Sequence, residues 1–277
     1  MDTFIGKTAF VTGGASGIGL ALARAFANEG MRVALSDIDG VALETAAADL
    51  RSGGAEVVAI VCDVSDAGAV AQAANDVIDA FGEVHILCNN AGVAGPGGVD
   101  EISLETWRWV LDINVMGVVH GIKAFLPHLR AHPGGGHIVN TASMAGLQSG
   151  GGFSPYSASK YAVVSISEGL QKQLAPLGIG VSVVCPSFVR TRIAESGRNR
   201  QAQYGASVAP IAGSRESQML AWISAQIESG LDPAIVAERT VRAVRSNELY
   251  VFTHPGWYWE VEERFEAIRQ SMARWAQ

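Results

Sequence analysis

The sequence predicts an α/β fold in which a doubly wound parallel sheet carries helices on both faces of a single domain, residues 1–277. Short apolar runs alternate with longer segments of helical periodicity along most of the chain. Continuous runs of Val, Ile and Leu are typical of strands that are covered on both faces. Strands that alternate with helices imply right-handed crossovers between parallel neighbours. A length of 277 residues is compatible with one large domain of this kind.

The first half of the chain alternates strand and helix. The helices are predicted where apolar residues recur every three or four positions, as Leu22, Ala25 and Phe26 do. The predicted strands are 8–11, 32–36, 57–61 and 85–88, and the predicted helices are 18–28, 39–51, 67–81 and 106–130.

The second half keeps this alternation and then departs from it. Strands are predicted at 137–140, 180–184 and 249–252, and helices at 156–174 and 233–245. Residues 190–231 are rich in Gly, Ser and Gln, which predicts an irregular substrate lid. Residues 257–277 are predicted to form an amphipathic tail, whose apolar residues recur at helical spacing: Val261, Phe265, Ile268, Met272 and Trp275.

Composition excludes several classes of protein. With 48% hydrophobic and 17% charged residues, the chain is not predominantly disordered. A formal net charge of −7 opposes nucleic-acid binding, and no apolar run approaches the roughly 18 residues that span a bilayer. No secretory signal is recognisable at the N-terminus. The cysteines Cys62, Cys88 and Cys185 lie in or beside apolar runs, as expected of free thiols in the cytoplasm.

A glycine-rich turn follows the first strand and opens the first helix. In such a turn the backbone can approach a pyrophosphate closely, and the helix N-terminus offers free N–H groups and the positive end of a dipole. This order of strand, turn and helix predicts a dinucleotide site in a Rossmann-type fold. The residues assigned to it are Gly13, Ser16, Gly17, Ile18 and Gly19.

Three further strand ends face the same predicted cleft. Asp37 ends the second strand, where a carboxylate can accept hydrogen bonds from the adenosine ribose and repel a 2′-phosphate, so we predict NAD rather than NADP. The alternative is a solvated carboxylate that only closes the strand. Asp63, followed by Val64, either contacts the adenine ring or caps the next helix. The segment Asn90-Ala91-Gly92 forms either the cleft edge or a simple turn.

Tyr156 and Lys160 are four residues apart and share one face of a predicted helix. A free tyrosine titrates near ~10, too high for a base at neutral pH. A neighbouring ammonium favours the phenolate and is expected to lower that pKa. An alcohol that gives up a hydride must also lose a proton, and a phenolate can take it. Ser143, at the end of the preceding strand, lies 13 residues before Tyr156.

Taken together, the glycine turn, Asn90-Ala91-Gly92, Ser143, Tyr156 and Lys160 resemble the classical short-chain dehydrogenase/reductase family over residues 7–192. The resemblance implies Tyr156 as the general acid/base, Lys160 as the group that lowers its pKa and binds the nicotinamide ribose, and Ser143 as the group that holds the substrate oxygen. Asn114 matches the family's fourth catalytic residue, which supports a water relay. Pro186, Val189 and Thr191 match positions that contact the nicotinamide carboxamide and the phosphates.

The chain departs from the family pattern at two places. Ser187 follows Pro186 where the family usually has glycine, which leaves the local turn uncertain. The usual Asp-Gly-Gly tail is replaced by the segment from Phe252 to Trp257 and the amphipathic tail. The change at Ser187 bears on the expected contacts of Val189 and Thr191, whereas the replaced tail concerns the substrate and assembly rather than the hydride step.

Softer motifs, at 178–183, 193–196 and 249–252, are similar to those of bacterial Cα-dehydrogenases of lignin-derived aryl ethers. This similarity implies oxidation of a bulky or aryl-bearing secondary alcohol to its ketone. Pocket residues are expected near the catalytic segment and the lid: Met144, Phe153, Phe188 and Tyr204. The family resemblance also implies a homodimer or homotetramer.

Other interpretations are weaker. An NADPH-linked 3-oxoacyl reductase conflicts with Asp37 and the missing tail, and a non-catalytic dinucleotide sensor conflicts with the intact catalytic set. No metal is expected, because His128 and His132 have no third ligand nearby in sequence. The arginines of the early lid either grip an acidic substrate or are solvated: Arg190, Arg192, Arg198 and Arg200. The aromatic residues at 257–259 either cover the substrate or pack against a partner.

Overall fold

The computed structural model describes residues 3–132, 134–206, 212–254, 256 and 258–275. Its strands are β1 Thr8–Thr12, β2 Arg32–Asp37, β3 Val57–Val61, β4 Ile86–Asn89, β5 His137–Thr141, β6 Gly180–Cys185 and β7 Tyr250–Phe252. Its α-helices are α1 Gly17–Asn28, α2 Gly40–Ser52, α3 Ala67–Phe81, α4 Leu104–Leu111, α5 Gly117–Ala131, α6 Ser154–Leu174, α7 Arg215–Glu228, α8 Pro233–Ser246 and α9 Tyr258–Arg274. The predicted α/β architecture is confirmed.

Among the described residues, seven parallel strands form one sheet in the order β3-β2-β1-β4-β5-β6-β7. The order reverses at β1, which pairs with β2 on one side and β4 on the other. In open α/β sheets, ligands bind outside the carboxyl ends of the strands at such a switch point. The topology therefore places a cleft beyond Thr12 and Asn89, the last residues of β1 and β4.

The core lies on both faces of the sheet, as continuous apolar strands require. Along β1, Phe10 points to one face, where it stacks on Phe125 with ring centroids 4.4 Å apart. Ala9 and Val11 point to the other face, which α1 covers with Leu22. All five are fully buried. Burial of a large apolar side chain contributes about 1.5–3 kcal/mol, so this two-sided core stabilises the sheet and fixes its carboxyl edge.

The long helix predicted at 106–130 is continuous from Leu104 to Ala131 but contains one π-helical turn, Asp112–Met116, between α4 and α5. A π turn holds one extra residue and is frequent at functional sites. By length and composition alone this helix is apolar enough to cross a membrane. However, its apolar residues pack in the protein core, where four of them are buried: Trp109, Val110, Phe125 and Leu129.

Of two segments near the C-terminus, one differs from expectation and the other agrees with it. Residues 190–231 were predicted to be irregular, but α7 occupies their last third, because its Leu220, Ile223 and Ile227 form an apolar helical stripe and Ser214 caps its start. The tail is helical, as predicted. Its Val261 packs against the core, whereas Phe265 and Met272 are more than half exposed.

Candidate active site

A cavity of about 510 Å³ opens at the carboxyl ends of the strands. It brings together residues from nearly every predicted motif. Those that line it are Gly13, Ser16, Gly17, Ile18, Asp37, Asp63, Val64, Asn90, Ala91, Gly92, Ser143, Met144, Phe153, Tyr156, Lys160, Pro186, Phe188, Val189 and Thr191. Gly19, Asn114 and Tyr204 do not line it.

The glycine turn fits a dinucleotide phosphate group. Gly13 and Gly17 have φ values of +64° and +55°, which favour glycine. A Cβ on Gly13 would lie 2.9 Å from the Cα of Ala91, and a Cβ on Gly17 would lie 3.0 Å from Thr191 Cγ2. A side chain at either position would therefore crowd Ala91 or Thr191, so the turn requires glycine at both positions. Gly19 serves packing instead, because a Cβ there would collide with the carbonyl oxygen of Gly13.

Asp37 lies beside this turn and stabilises it through hydrogen bonds. Its Oδ2 accepts a hydrogen bond from the backbone N–H of Ala15 at 3.1 Å, and its Oδ1 accepts one from Asp39 at 3.1 Å. Gly14 also donates from its N–H to the carbonyl of Ser36, at 2.9 Å. The carboxylate is thus fixed at the cavity wall, where it would bind the ribose of a dinucleotide.

The edge of the cleft is held by reciprocal hydrogen bonds between β1, β4 and β5. The hydroxyl of Thr12 accepts from the backbone N–H groups of Asn90 and Ala91 at 2.9 and 3.0 Å. The side chain of Asn90 donates to the carbonyl of Thr12 and accepts from the hydroxyl of Thr141. These hydrogen bonds hold Asn90-Ala91-Gly92 at the wall of the cavity, which favours the cleft edge over a simple turn for this segment.

Ser143 lies two residues beyond β5. Its Oγ accepts from the N–H of Ala145 at 3.1 Å and donates to the carbonyl of Pro186 at 3.2 Å. The side chain of Tyr156 enters from the first turn of α6, close enough to Ser143 for a hydrogen bond between them to lower the pKa of the phenol. The loop after β5 and the first turn of α6 thereby present two hydroxyl groups to the same cavity.

The predicted lowering of the Tyr156 pKa is wrong for this structure. Burial raises the pKa of the phenol above its usual value, and the hydrogen bond with Ser143 opposes this only in part. Lys160 Nζ lies 5.6 Å from the centroid of the Tyr156 ring and donates to the carbonyl of Thr141 at 2.9 Å. Burial lowers the pKa of this ammonium to about 8. The ammonium therefore faces the cavity next to the ring without overcoming the desolvation of the phenol.

Asn114 occupies the centre of the π turn and is buried. Its Oδ1 accepts from the N–H of Val93 at 2.8 Å, and its Nδ2 donates to the carbonyl of Val93 and to the hydroxyl of Ser159 at 3.0 Å each. A Cβ on Gly92 would lie 3.3 Å from Asn114 Oδ1 and 3.5 Å from Lys160 Nζ. Asn114 thus holds the loop after β4 against α6 behind Lys160.

The turn that carries Ser187 in place of glycine is stabilised by a hydrogen bond to His254. The N–H of Ser187 donates to Nδ1 of His254 at 3.3 Å. His254 belongs to the segment that replaces the family's usual tail, so the two departures from the family pattern meet in space. Pro186, Val189 and Thr191 consequently line the cavity despite the changed turn.

The far end of the cavity is apolar. Met144, Phe153 and Phe188 line it, as predicted. Tyr204 was also expected there, which is wrong: it is buried behind the cleft, and its hydroxyl donates to Asp112 at 2.9 Å. Nearness to the lid in sequence does not fix the direction of a side chain.

Sequence reasoning missed several residues that line the cavity. Trp222 of α7 meets Phe188 edge to face, with centroids 5.4 Å apart. Others include Gln148, Gln201, Leu220, Ile223 and Glu260. The helical spacing of Leu220, Ile223 and Ile227 could have revealed α7, whereas no local pattern marks Gln201.

The arginines of the early lid all bond within the protein, and two of them, Arg192 and Arg198, also line the cavity. Arg190 forms an ion pair with Asp232 at 2.6 Å, and Arg192 forms one with Glu195 at 2.9 Å. Arg198 donates to the carbonyls of Arg192 and Glu195. Trp257 lies outside the described residues, while Tyr258 and Trp259 are exposed and do not line the cavity.

His132 lies beside His85 and Glu83 rather than His128, and these two groups, which the sequence did not show as neighbours, come from the segment before β4. The two Nε2 atoms are 3.0 Å apart. His85 Nδ1 accepts from the N–H of Thr8 at 3.1 Å, which places the proton of the neutral ring on Nε2. His132 Nδ1 likewise accepts from the N–H of Gly134 at 3.2 Å, and its Nε2 lies 3.3 Å from a carboxylate oxygen of Glu83.

Comparison with known proteins agrees with this site. Residues 7–202 match the family model described as short chain dehydrogenase. A C alpha-dehydrogenase from Sphingobium is 35% identical over 99% of this chain and 88% of its own length. A 1-deoxy-11-beta-hydroxypentalenate dehydrogenase from Streptomyces exfoliatus is 41% identical over 67% of this chain and 68% of its own.

Among solved structures, a short chain dehydrogenase/reductase from Burkholderia phymatum in complex with NAD is 39% identical, with a TM-score of 0.94 over 98% of this chain and 97% of its own. Fold, cavity and motifs therefore lead to one conclusion: this chain belongs to the short-chain dehydrogenase family and is an oxidoreductase that acts on CH–OH groups with a nicotinamide dinucleotide.

Proposed function

We propose that this enzyme is an NAD-dependent dehydrogenase that interconverts a bulky or aryl-bearing secondary alcohol and its ketone. The observation that carries the proposal is the convergence of Ser143, Tyr156 and Lys160 at the point where the dinucleotide cleft meets an apolar chamber. The hydroxyl groups can act on a substrate oxygen, and the chamber can hold the substituents of its carbon atom.

A bound nicotinamide ring supplies the hydride acceptor or donor. Tyr156 exchanges the hydroxyl proton with the substrate oxygen, and Ser143 hydrogen-bonds that oxygen and keeps it near the phenol. Lys160 binds the nicotinamide ribose, and its charge favours the phenolate when Tyr156 loses its proton. Asn114 positions the loop of Gly92 and α6 behind Lys160 and so supports a water path to the ammonium.

Asp37 supports NAD as the dinucleotide. Its carboxylate is fixed by two backbone N–H groups at the cavity wall, beside Ile38, which carries no charge to bind a 2′-phosphate. The Burkholderia relative is in complex with NAD. Glycine-turn residues hold the pyrophosphate, Asp63 and Val64 hold the adenine, and Asn90, Ala91, Gly92, Pro186, Val189 and Thr191 hold the nicotinamide half and the phosphates.

The substrate class follows from the apolar chamber. Trp222, with 48% of its side chain exposed in the cavity-facing lid, and Phe188 offer two perpendicular aromatic surfaces. Aromatic rings attract each other in edge-to-face and offset arrangements beyond the value of buried area. A C alpha-dehydrogenase is among the relatives, which agrees with an aryl substituent on the carbinol carbon.

Residues 190–231, of which 207–211 lie outside the described residues, act as the lid. The two ends of this segment are tied together, because Arg190 N–H donates to the carbonyl of Leu231 at 2.9 Å and Leu231 N–H donates to the carbonyl of Phe188 at 3.0 Å. A segment with fixed ends can move over the cavity without disturbing the sheet, and its closure excludes water from the hydride step.

We infer a homodimer or homotetramer in the cytoplasm. Tyr250 and Phe252 of the edge strand β7 are exposed, as is Phe265 of α9, which leaves apolar surface for a second copy. The three cysteines are free and buried, as is usual in a reducing compartment.

A screen for NADH production with aryl and aliphatic secondary alcohols, aryl-ether dimers included, tests the substrate class. We expect Trp222→Ala to raise KM for an aryl carbinol about tenfold, from loss of one aromatic contact, and to leave a small aliphatic alcohol almost unaffected. Trp259→Ala is the matched control, because Trp259 is equally exposed but does not line the cavity. Equal effects on both alcohols would contradict an aryl-binding role.

A further inference from the structure

The lid begins with two short 3₁₀ turns, Ile193–Asn199 and Ala202–Tyr204, which cross the cleft from the glycine turn to α4. We call residues 193–204 the crossing segment. It is fastened at one end, where the hydroxyl of Ser196 accepts from the N–H of Ala94 at 3.0 Å. It is fastened at the other end by Tyr204, through Asp112.

Arg200 strengthens the far attachment. Its guanidinium donates to the hydroxyl of Thr106 at 3.1 Å and to the carbonyl of Tyr204 at 2.7 Å. It also lies 4.9 Å from the ring centroid of Trp109, within the range of a cation–π contact. The crossing segment is therefore packed onto α4 by specific contacts rather than by chain connectivity alone.

Gln201 stands in the middle of this arrangement, with both ends of its amide used. Trp109 Nε1–H donates to Gln201 Oε1 at 3.1 Å, and Gln201 Nε2–H donates to Asp63 Oδ2 at 2.8 Å. The indole nitrogen is only a donor, so it fixes the oxygen of the amide towards Trp109 and the NH₂ group towards Asp63. Trp109 is buried, which makes this orientation costly to lose.

Asp63 receives a second set of hydrogen bonds on its other oxygen. Its Oδ1 accepts from the backbone N–H and the hydroxyl of Ser65, at 2.9 and 2.7 Å. The carboxylate is thus held from the sheet side by Ser65 and from the lid side by Gln201. Both Asp63 and Gln201 line the cavity beyond the end of β3.

We propose that Gln201 is a positioning residue that orients Asp63 for the adenine ring and, by bridging the cleft, controls how fast adenosine-containing ligands leave. The inference rests on the dinucleotide binding proposed above. A ligand bound to Asp63 would contact the carboxylate that Gln201 also holds, so its departure would depend on that hydrogen bond. The lid then responds to the adenosine half of the dinucleotide as well as to the substrate.

The test measures binding rather than turnover. In Gln201→Leu both hydrogen bonds are lost; in Gln201→Glu the oxygen facing Trp109 remains, but a second carboxylate faces Asp63. For both variants we expect NADH and ADP-ribose to dissociate about tenfold faster, as for loss of one hydrogen bond to a charged group. Reduced nicotinamide mononucleotide, which lacks adenosine, should bind unchanged. Stopped-flow fluorescence measures NADH release, and calorimetry measures ADP-ribose binding.

Gln203→Leu is the matched control, because Gln203 belongs to the same segment but is exposed and does not line the cavity. Hydrogen exchange of the unmodified protein gives a second readout: ADP-ribose should protect residues 193–204, and the mononucleotide should not. Unchanged dissociation rates, or equal weakening of the mononucleotide, would overturn the inference. If the unmodified protein did not bind NADH, the proposed function would fail instead.

Discussion

Lys160 faces the ring of Tyr156 from 5.6 Å while its ammonium donates to the carbonyl of Thr141. The pair is therefore assembled with both groups desolvated: the pKa of the phenol is raised and the pKa of the ammonium is lowered to about 8. Burial therefore favours the neutral phenol of Tyr156 and weakens the preference of Lys160 for its charged form.

The hydroxyl of Tyr156 is expected to matter for chemistry and little for dinucleotide binding. Tyr156→Phe keeps the ring and its packing but removes the proton carrier, and turnover should fall by about 10²–10⁴-fold, the usual contribution of general acid–base catalysis. Steady-state rates and NADH fluorescence titrations measure the two effects separately. Turnover near the wild-type rate in this variant would rule out Tyr156 as the acid/base.

Alcohol oxidation should rise with pH. Oxidation needs the phenolate, and burial holds the pKa of Tyr156 above its ordinary value, so the active fraction grows from neutral pH into the alkaline range. Ketone reduction needs the phenol and should decline there. In Ser143→Ala the residual oxidation should shift further towards alkaline pH, because the hydrogen bond from Ser143 lowers that pKa. Initial rates between pH 6 and 10 in both directions measure this; matching profiles in both directions would disprove it.

Cofactor preference should depend on the charge of Asp37. The pair Asp37→Ala and Ile38→Arg is expected to weaken NADH binding and strengthen NADPH binding, each by about tenfold or more. Asp37→Asn is the control, because its amide oxygen can still accept from the N–H of Ala15 while the negative charge is gone. Dissociation constants for both cofactors decide the matter. Unchanged preference in the double variant would contradict a selective role for Asp37.

Stability should fall in mild acid. Burial lowers the pKa of His85 to about 4 and that of His137 to about 3, against 6.5 for the free side chain. As pH falls below 6.5, the unfolded chain takes up these protons before the folded chain does, so the free energy of unfolding decreases down to pH 4 and below. Urea denaturation at pH 7.5, 6 and 4.5 measures this.

In His85→Gln, one of the histidines whose pKa is lowered in the folded protein is gone, and the midpoint should vary less with pH. A midpoint that stays constant in the unmodified protein would show that these rings gain protons equally well in both states.

Local patterns were sufficient for much of this molecule. The strands and most helices can be predicted from the periodicity of apolar residues, because apolar faces must be buried. Their ends can be predicted from glycines and capping residues. The dinucleotide turn and the Tyr156–Lys160 pair were predictable since each lies within one short segment. Of the hydrogen-bond partners of Asp63, the sequence could indicate only Ser65, which is two residues away. Gln201 is 138 residues away and could not be inferred from a local pattern.

The features that the sequence did not predict depend on the directions of side chains and on packing between residues that are distant in sequence. The sequence does not show that one extra residue makes a π turn around Asn114, since that turn depends on contacts with Val93 and Ser159. The pKa of Tyr156 moved opposite to expectation because a charge partner can be read from spacing, whereas desolvation depends on the closed cavity. Tyr204 was misplaced for a similar reason.

The hydrogen bond from Ser187 to His254 also matters for building hybrids with related enzymes. It joins the loop after β6 to the connection between β7 and α9, and the first turn of α9 contributes Glu260 to the cavity wall. A graft that exchanged only the C-terminal region would pair a foreign tail with Ser187 and leave its N–H without His254. Residue 187 and the tail therefore need to be transplanted together if the recipient is to keep a working nicotinamide loop.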